Sequence, residues 1–145
     1  MDDVPSKMIN EVLRGNHEDT GAWYLWVVDD INNLPDMRGE AVDGTQGDIY
    51  DNWCSPFTGA SIQDAAEYLR NVPKPRKPLC KKYFTVLERQ RYEEHGQLWI
   101  CNIVEGEIQS VPCIAWWVAT WLTGHDRDVW EERYECWIEG GEAIG

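Results

Sequence analysis

The sequence lacks any apolar run long enough to cross a membrane. A spanning helix needs about 20 consecutive apolar residues, and the most apolar stretch here is the much shorter CIAWWVATWLTG, residues 113–124. The opening MDDVPSKMINEV is acidic and has no apolar core of the kind found in secretion signals. No apolar tail precedes Gly145. The sequence therefore predicts no transmembrane anchor.

Residues that usually carry catalysis or bind metals are few and scattered. The histidines are His17, His95 and His125, each in a polar setting. The segment GTQGDIY lacks the lysine and the length of a phosphate-binding loop. The five cysteines include no C-x-x-C pair, so we expect free thiols, mostly buried, in a reducing compartment. We expect no enzyme, no metal site and no cofactor.

Positive charge is also scarce. The chain has 13 basic and 26 acidic residues, for a formal net charge of -13. Six of the basic residues lie in RNVPKPRKPLCKK, residues 70–82, where three prolines favour an extended loop. Such a balance argues against free nucleic acid as a partner, since binding phosphates requires a basic face. It favours either simple solubility or attraction to a basic partner.

Tryptophan and helical periodicity are what the chain has in abundance. There are nine tryptophans against two phenylalanines. Apolar residues recur at helical spacing over most of the sequence, and Gly15 is placed to end the first helix. Residues 22–28 and 97–104 are compatible with either helix or strand. The predicted helices cover residues 4–15, 21–34, 61–71, 80–92, 110–124 and 128–141.

The stretch 113–122 has no polar face, since only Thr120 interrupts its apolar residues. A helix that is apolar on all sides lies inside a core. The amphipathic helices before and after it could surround it. We therefore predict one all-α domain over residues 1–145, a bundle of six to eight helices around a central apolar helix.

Sequences on both sides of that stretch resemble the B-cell lymphoma-2 (Bcl) family of apoptosis regulators. VEGEIQSV looks like the family's first homology motif, with Glu105, Gly106 and Val111 at matching positions. YECWIEGG resembles the second motif, through Trp137, Ile138 and the pair Gly140 and Gly141. A weaker match to the third motif lies in GDIYDNW, at Gly47 and Asp48. The family's motif arginine is missing, and such divergence suits a viral member.

The resemblance implies a function. Anti-apoptotic members hold amphipathic helical segments of host pro-apoptotic proteins in a surface groove, which is helix-in-groove recognition. It also implies a location in the host cytoplasm, with peripheral association at mitochondria. Exposed tryptophans could in addition form a homodimer face. The residues expected to line the groove are Tyr68, Leu69, Phe84, Leu87, Trp99, Ile103, Glu105, Gly106 and Val111.

A second hypothesis rests on the charge alone. An acidic inhibitor from a phage or mobile element, or a toxin-immunity protein, would block a nucleic-acid-handling enzyme by mimicking nucleic acid. Under this hypothesis residues 22–29, 83–90 and 97–104 would be strands. The proportion of helix and strand therefore separates the two hypotheses.

Overall fold

The computed structural model describes residues 4–25, 27, 49, 51, 53, 55–71, 82–123 and 129–145. Within these ranges the chain forms five α-helices and a three-stranded antiparallel sheet. The prediction of an all-α bundle is therefore wrong, because the described residues combine helix and sheet. In chain order the elements are α1 (Ser6–Thr20), α2 (Ile62–Arg70), β1 (Tyr83–Val86), α3 (Arg89–His95), β2 (Gln97–Val104), β3 (Glu107–Ile114), α4 (Val118–Thr123) and α5 (Trp130–Gly140).

The sheet is built on a tight hairpin between β2 and β3. Its order is β1-β2-β3, and β2 pairs with β3 over its full length, from Gln97 opposite Ile114 to Val104 opposite Glu107. Glu105 and Gly106 form the connection, with φ angles of 50° and 83°. Positive φ at both central residues is what a type I′ hairpin turn requires. The Glu-Gly pair that resembled a helical motif is thus a turn between strands.

Two predicted helices fall on this sheet and are corrected. Residues 83–86 are a strand, and helix begins only at Arg89. Residues 107–114 are a strand, followed by a short 3₁₀ helix, Ala115–Trp117, before α4. Pairing between strands satisfies the backbone N–H and C=O groups of these segments as fully as a helix would, and their β-branched residues favour strands. The predicted central apolar helix over 113–122 is therefore wrong as well.

Three predicted helices are confirmed with adjusted ends. Helix α1 continues through Gly15 and ends at Gly21, which has a left-handed φ of 78°. Ser61 and Asp64 form a capping box at the start of α2. The backbone N–H of Ser61 donates to the Asp64 carboxylate, and this bond lowers the pKa of that group. Helix α5 matches the predicted segment closely.

Two apolar clusters hold these elements together, and α1 contributes to both. The first cluster joins the inner face of the sheet to α1, α4 and α5, with Ile100, Val111, Trp121 and Trp130 among its members. The second gathers Val4, Ile9, Leu13 and Trp53. Ile144 bridges to β3 by backbone hydrogen bonds with Pro112 and Ile114, which covers part of the strand's outer edge.

A buried amide fixes α1 to the chain that follows the sheet. Asn16 is 2% exposed. Its Nδ2 donates to the carbonyls of Val12 and Ala115, at 2.8 and 2.7 Å, and its Oδ1 accepts from the backbone N–H of Ala119 at 2.8 Å. The amide nitrogen thus donates both of its hydrogens, and the amide oxygen accepts one hydrogen bond. Asn16 is thus the polar link between α1 and the start of α4.

Replacing Gly15 with alanine is expected to stabilise the fold by about 0.5–1 kcal/mol. Gly15 lies inside α1, and a Cβ there would meet the Cβ of Trp116 at 3.5 Å, an ordinary van der Waals distance. The substitution therefore reduces the freedom of the unfolded chain without a clash. Chemical denaturation measures the change. The control is Gly21→Ala, which should destabilise because its φ is 78°; equal effects at the two positions would contradict the prediction.

Some predictions fall on residues outside the described ranges. These include Cys54, Cys80, His125 and the third-motif pair Gly47 and Asp48. Most of the basic segment 70–82 lies there too. The described part of residues 22–29, namely 22–25 and 27, forms no strand or helix.

Candidate functional site

The residues predicted to line a groove do not come together in one. Phe84, Trp99 and Ile103 lie on one face of the sheet, as the register of β1 and β2 places them. Val111 is fully buried on the opposite face, in the first apolar cluster. Glu105 and Gly106 occupy the hairpin turn.

The remaining predicted groove residues lie elsewhere. Leu69 is buried on α2, and Tyr68 meets Phe57 edge to face at 5.1 Å between ring centroids. Leu87 follows β1 and packs against both apolar clusters. A groove between helices therefore has no counterpart among the described residues.

The second-motif residues have structural roles at the end of α5. Trp137 is half-buried and contacts Trp99 edge to face, at 5.8 Å between centroids. Gly140 is the last helical residue, and Gly141 caps the helix with a left-handed φ of 67°. Ile138 is 63% exposed. Of the adjacent Trp-Ile pair, only Trp137 therefore packs against the rest of the protein.

An arginine lies against the tryptophan pair. The Arg91 guanidinium lies 4.9 Å from the ring centroid of Trp99 and 5.8 Å from that of Trp137. Its Nη1 also donates to Oε1 of Gln97 at 3.2 Å. Cation–π contacts of this kind stabilise by about 0.5–2 kcal/mol. Arg91 thus joins α3, β2 and α5.

Nucleophilic chemistry has little support in the described part of the chain. Burial raises the pKa of the Cys101 thiol to about 11 and that of Cys113 to about 12. Thiols protonated to this degree are poor nucleophiles at neutral pH. Across the described ranges, no three His, Cys, Asp or Glu residues gather as a metal site would require. No helix in those ranges is long and apolar enough to cross a membrane.

Helix α5 carries a strongly acidic surface. Trp130, Tyr134 and Trp137 turn toward the first apolar cluster. The opposite side of the helix carries Glu131, Glu132, Glu135 and Glu139, all exposed, with the exposed Ile138 beside them. We refer to these five residues as the acidic face. Among the described residues, no cationic nitrogen lies within 4.0 Å of its carboxylates.

A second surface carries exposed tryptophan. Trp116 is 55% exposed and Trp117 is 36% exposed. The backbone turn that holds them is fixed against α1, because Asn16 binds Ala115 and Ala119 on either side. The sequence predicted burial for both rings. A Trp-Trp pair inside an apolar run gives no signal that the 3₁₀ helix faces them outward.

Comparisons with protein-family profiles, with curated protein sequences and with solved structures found no match to this chain.

Proposed function

We propose that this protein is a non-catalytic acidic inhibitor that binds the nucleic-acid-binding surface of a basic, nucleic-acid-handling protein. The observation that carries the proposal is the acidic face of α5, which carries four exposed glutamates, while the one arginine of the helix, Arg133, is exposed outside that face. The formal net charge of -13 attracts such a partner at long range. The presence of strands at residues 83–86 and 97–104 also favours this hypothesis over a helical bundle.

The spacing of the carboxylates suits a surface that normally holds phosphates. Glu131 and Glu139 are separated by about 12 Å along the helix axis, since each residue rises about 1.5 Å. Four carboxylates lie within that length. One strand of B-DNA carries a phosphate about every 3.4 Å, or about four over the same distance. The acidic face therefore presents negative charge at a density similar to that of one DNA strand.

The acidic face is also held in position before any partner arrives. Trp130 is buried, its ring meets that of Trp121 at 5.6 Å, and its Nε1 donates to Oε1 of Gln109 at 2.9 Å. Contact of Trp137 with Trp99 and Arg91 holds the other end of α5. Preorganisation of this kind lowers the entropy lost on binding. Ile138 adds an exposed apolar side chain to the acidic face, a feature that a phosphate backbone does not have.

Inhibition of apoptosis is not proposed. It required a groove between helices, and the residues expected to form that groove lie on both faces of a sheet and on its hairpin turn. The sequence matches at Glu105 and Gly106 are explained by the turn that they form.

Competition with DNA tests the proposal. A panel of basic enzymes, including restriction endonucleases, topoisomerases and ribonucleases, would each be loaded with a short fluorescent DNA or RNA. Fluorescence anisotropy then measures displacement by this protein. We expect displacement from at least one enzyme, weakening steeply between about 50 and 200 mM salt because the contact is electrostatic.

A charge-matched pair of variants locates the surface. E131K/E135K/E139K should weaken displacement at least about tenfold, because it reverses charge on the acidic face. The control E18K/E67K/E94K makes the same change in net charge at exposed positions on α1, α2 and α3. Equal losses in the two variants, or no displacement from any enzyme, would overturn the proposal.

A further inference from the structure

We propose that Trp116, with the carboxylates of Glu11 and Asp19, forms a separate recognition site for an arginine side chain in an extended basic segment of a protein partner. Among the described residues, Trp116 is the most exposed tryptophan. Its backbone is held in place by the hydrogen bonds from Asn16 to Ala115 and Ala119. A large aromatic side chain that is 55% exposed, beside the partly exposed Trp117, is a typical anchor of a protein interface.

Contacts with α1 define the position of Trp116. A Cβ at Gly15 would lie 3.5 Å from the Cβ of Trp116, so the tryptophan backbone crosses α1 at that glycine. Glu11 and Asp19 lie four residues before and four residues after Gly15. Residues at this spacing share one side of a helix. The Cβ of Trp116 therefore lies on the side of α1 that carries these two exposed carboxylates, which are about 12 Å apart along the helix axis.

Both carboxylates are oriented by neighbours. Thr120 Oγ1 donates to Oδ2 of Asp19 at 2.6 Å, and Tyr92 Oη donates to Oε2 of Glu11 at 3.0 Å. Desolvation of the phenol, followed by its hydrogen bond to Glu11 and the charge of that group, raises the pKa of Tyr92. Each carboxylate keeps a second oxygen for a ligand, since a carboxylate has about four acceptor positions.

These features select arginine over lysine. The planar guanidinium stacks on an indole face while its N–H groups bind a carboxylate, whereas the lysine ammonium is compact and strongly hydrated. Arg91 shows part of this mode inside the protein, where it lies over Trp99 and Trp137 while its Nη1 donates to the amide oxygen of Gln97. The net charge of -13 favours a basic segment as the occupant of the exposed tryptophan.

Titration with homopeptides tests the inference. Arginine and lysine homopeptides of equal length would be added to the full-length protein, with binding measured by calorimetry at two salt concentrations. We expect the arginine peptide to bind about three- to tenfold more tightly than the lysine peptide. Trp116→Leu should abolish that preference and leave the lysine affinity nearly unchanged, because it removes stacking but no charge.

Carboxylate variants complete the design. E11Q/D19N should weaken both peptides more than E67Q/E94Q, which removes the same charge at exposed positions on α2 and α3. The inference is overturned if Trp116→Leu keeps the arginine preference. It is also overturned if sedimentation shows self-association that Trp116→Leu removes, because the occupant would then be a second copy of the chain.

One variant distinguishes failure of the arginine site at Trp116 from failure of the proposed inhibitor function. The variant E131K/E135K/E139K lies on α5 and leaves Trp116, Glu11 and Asp19 in place. Its arginine preference should therefore equal that of the unmodified protein, even where its displacement of DNA is lost. Loss of the preference in this variant would count against a separate site.

Discussion

Replacing Asn16 with alanine is expected to lower the free energy of unfolding by about 3 kcal/mol. The change removes three hydrogen bonds made by a side chain that is 2% exposed. It leaves the carbonyl of Ala115 and the N–H of Ala119 without their side-chain partner in a buried place. Each buried group left unpaired costs about 1–3 kcal/mol.

The position of these two backbone groups explains why the amide matters. Ala115 and Ala119 are four residues apart, the spacing at which an α-helix would join them directly. Instead, the Asn16 amide inserts between them, accepting from Ala119 and donating to Ala115. Insertion of a side chain into a helical ladder is a known cause of a local change in backbone direction. Asn16 therefore sets the passage from β3 into α4 as well as the docking of α1.

Urea denaturation followed by far-ultraviolet circular dichroism measures the loss. Asn71→Ala is the matched control, because Asn71 is exposed at the end of α2 and its change should stay within about 0.5 kcal/mol. A value for Asn16→Ala below about 1 kcal/mol would contradict the assigned role, since that is the ordinary cost of a single hydrogen bond.

A pH series on Asn16→Asp gives an independent check. The ionised carboxylate keeps an acceptor for Ala119 but presents oxygen to the carbonyls of Val12 and Ala115, so the folded state favours protonation. Its pKa is thus raised on folding, and the stability it contributes is present below the unfolded value of about 3.9 and lost as pH rises. Relative to Asn16→Ala, this variant should become less stable between mildly acidic and neutral pH.

Local signals in the sequence were enough to predict helices α1 and α2. The stripe of Ile9, Val12 and Leu13 and the capping box at Ser61 and Asp64 both act within one or two turns. The centre could not be predicted in this way. A run such as SVPCI suits a helix or a strand, and pairing with residues nine or more positions away decides between them.

One signal for the sheet was present but was interpreted differently. Glu105 and Gly106 stand between QLWICNIV and EIQSVPCI, and a residue followed by glycine between two β-branched runs favours a two-residue hairpin. Taken as a turn, the pair predicts β2 and β3 in their observed register. Taken as part of a helical motif, it agreed with the all-α prediction that the apolar stretch 113–122 had suggested.

The candidate surfaces were only partly predictable. The net charge indicated a basic partner. The position of the acidic face on α5, however, depends on which side chains of that helix pack inward. Trp137 and Ile138 are adjacent, yet Trp137 is half-buried and Ile138 is 63% exposed. The exposure of Trp116 follows from the change of β3 into a 3₁₀ helix, which no local pattern indicates. Long-range packing therefore decides both surfaces.

Trp121→Ala is expected to have the largest effect on stability, a loss of about 3–5 kcal/mol. Trp121 is 1% exposed and lies between the rings of Tyr83 and Trp130, at 5.8 and 5.6 Å between centroids. Truncation removes both edge-to-face contacts and leaves a cavity where α4, β1 and α5 meet. Trp121 contacts Trp130, which anchors α5, so the acidic face should also lose its fixed position. Displacement of DNA should therefore weaken together with the loss of stability.

Two further substitutions distinguish the loss of core packing at Trp121 from the general effect of removing a tryptophan side chain. Trp121→Phe keeps an aromatic ring and removes an indole N–H that has no hydrogen-bond partner among the described residues, so its cost should be only about 1–2 kcal/mol. Trp116→Ala removes the same side chain from an exposed position and should cost less than either. If Trp116→Ala destabilised the protein as much as Trp121→Ala, the assignment of Trp121 to the centre of the core would be wrong.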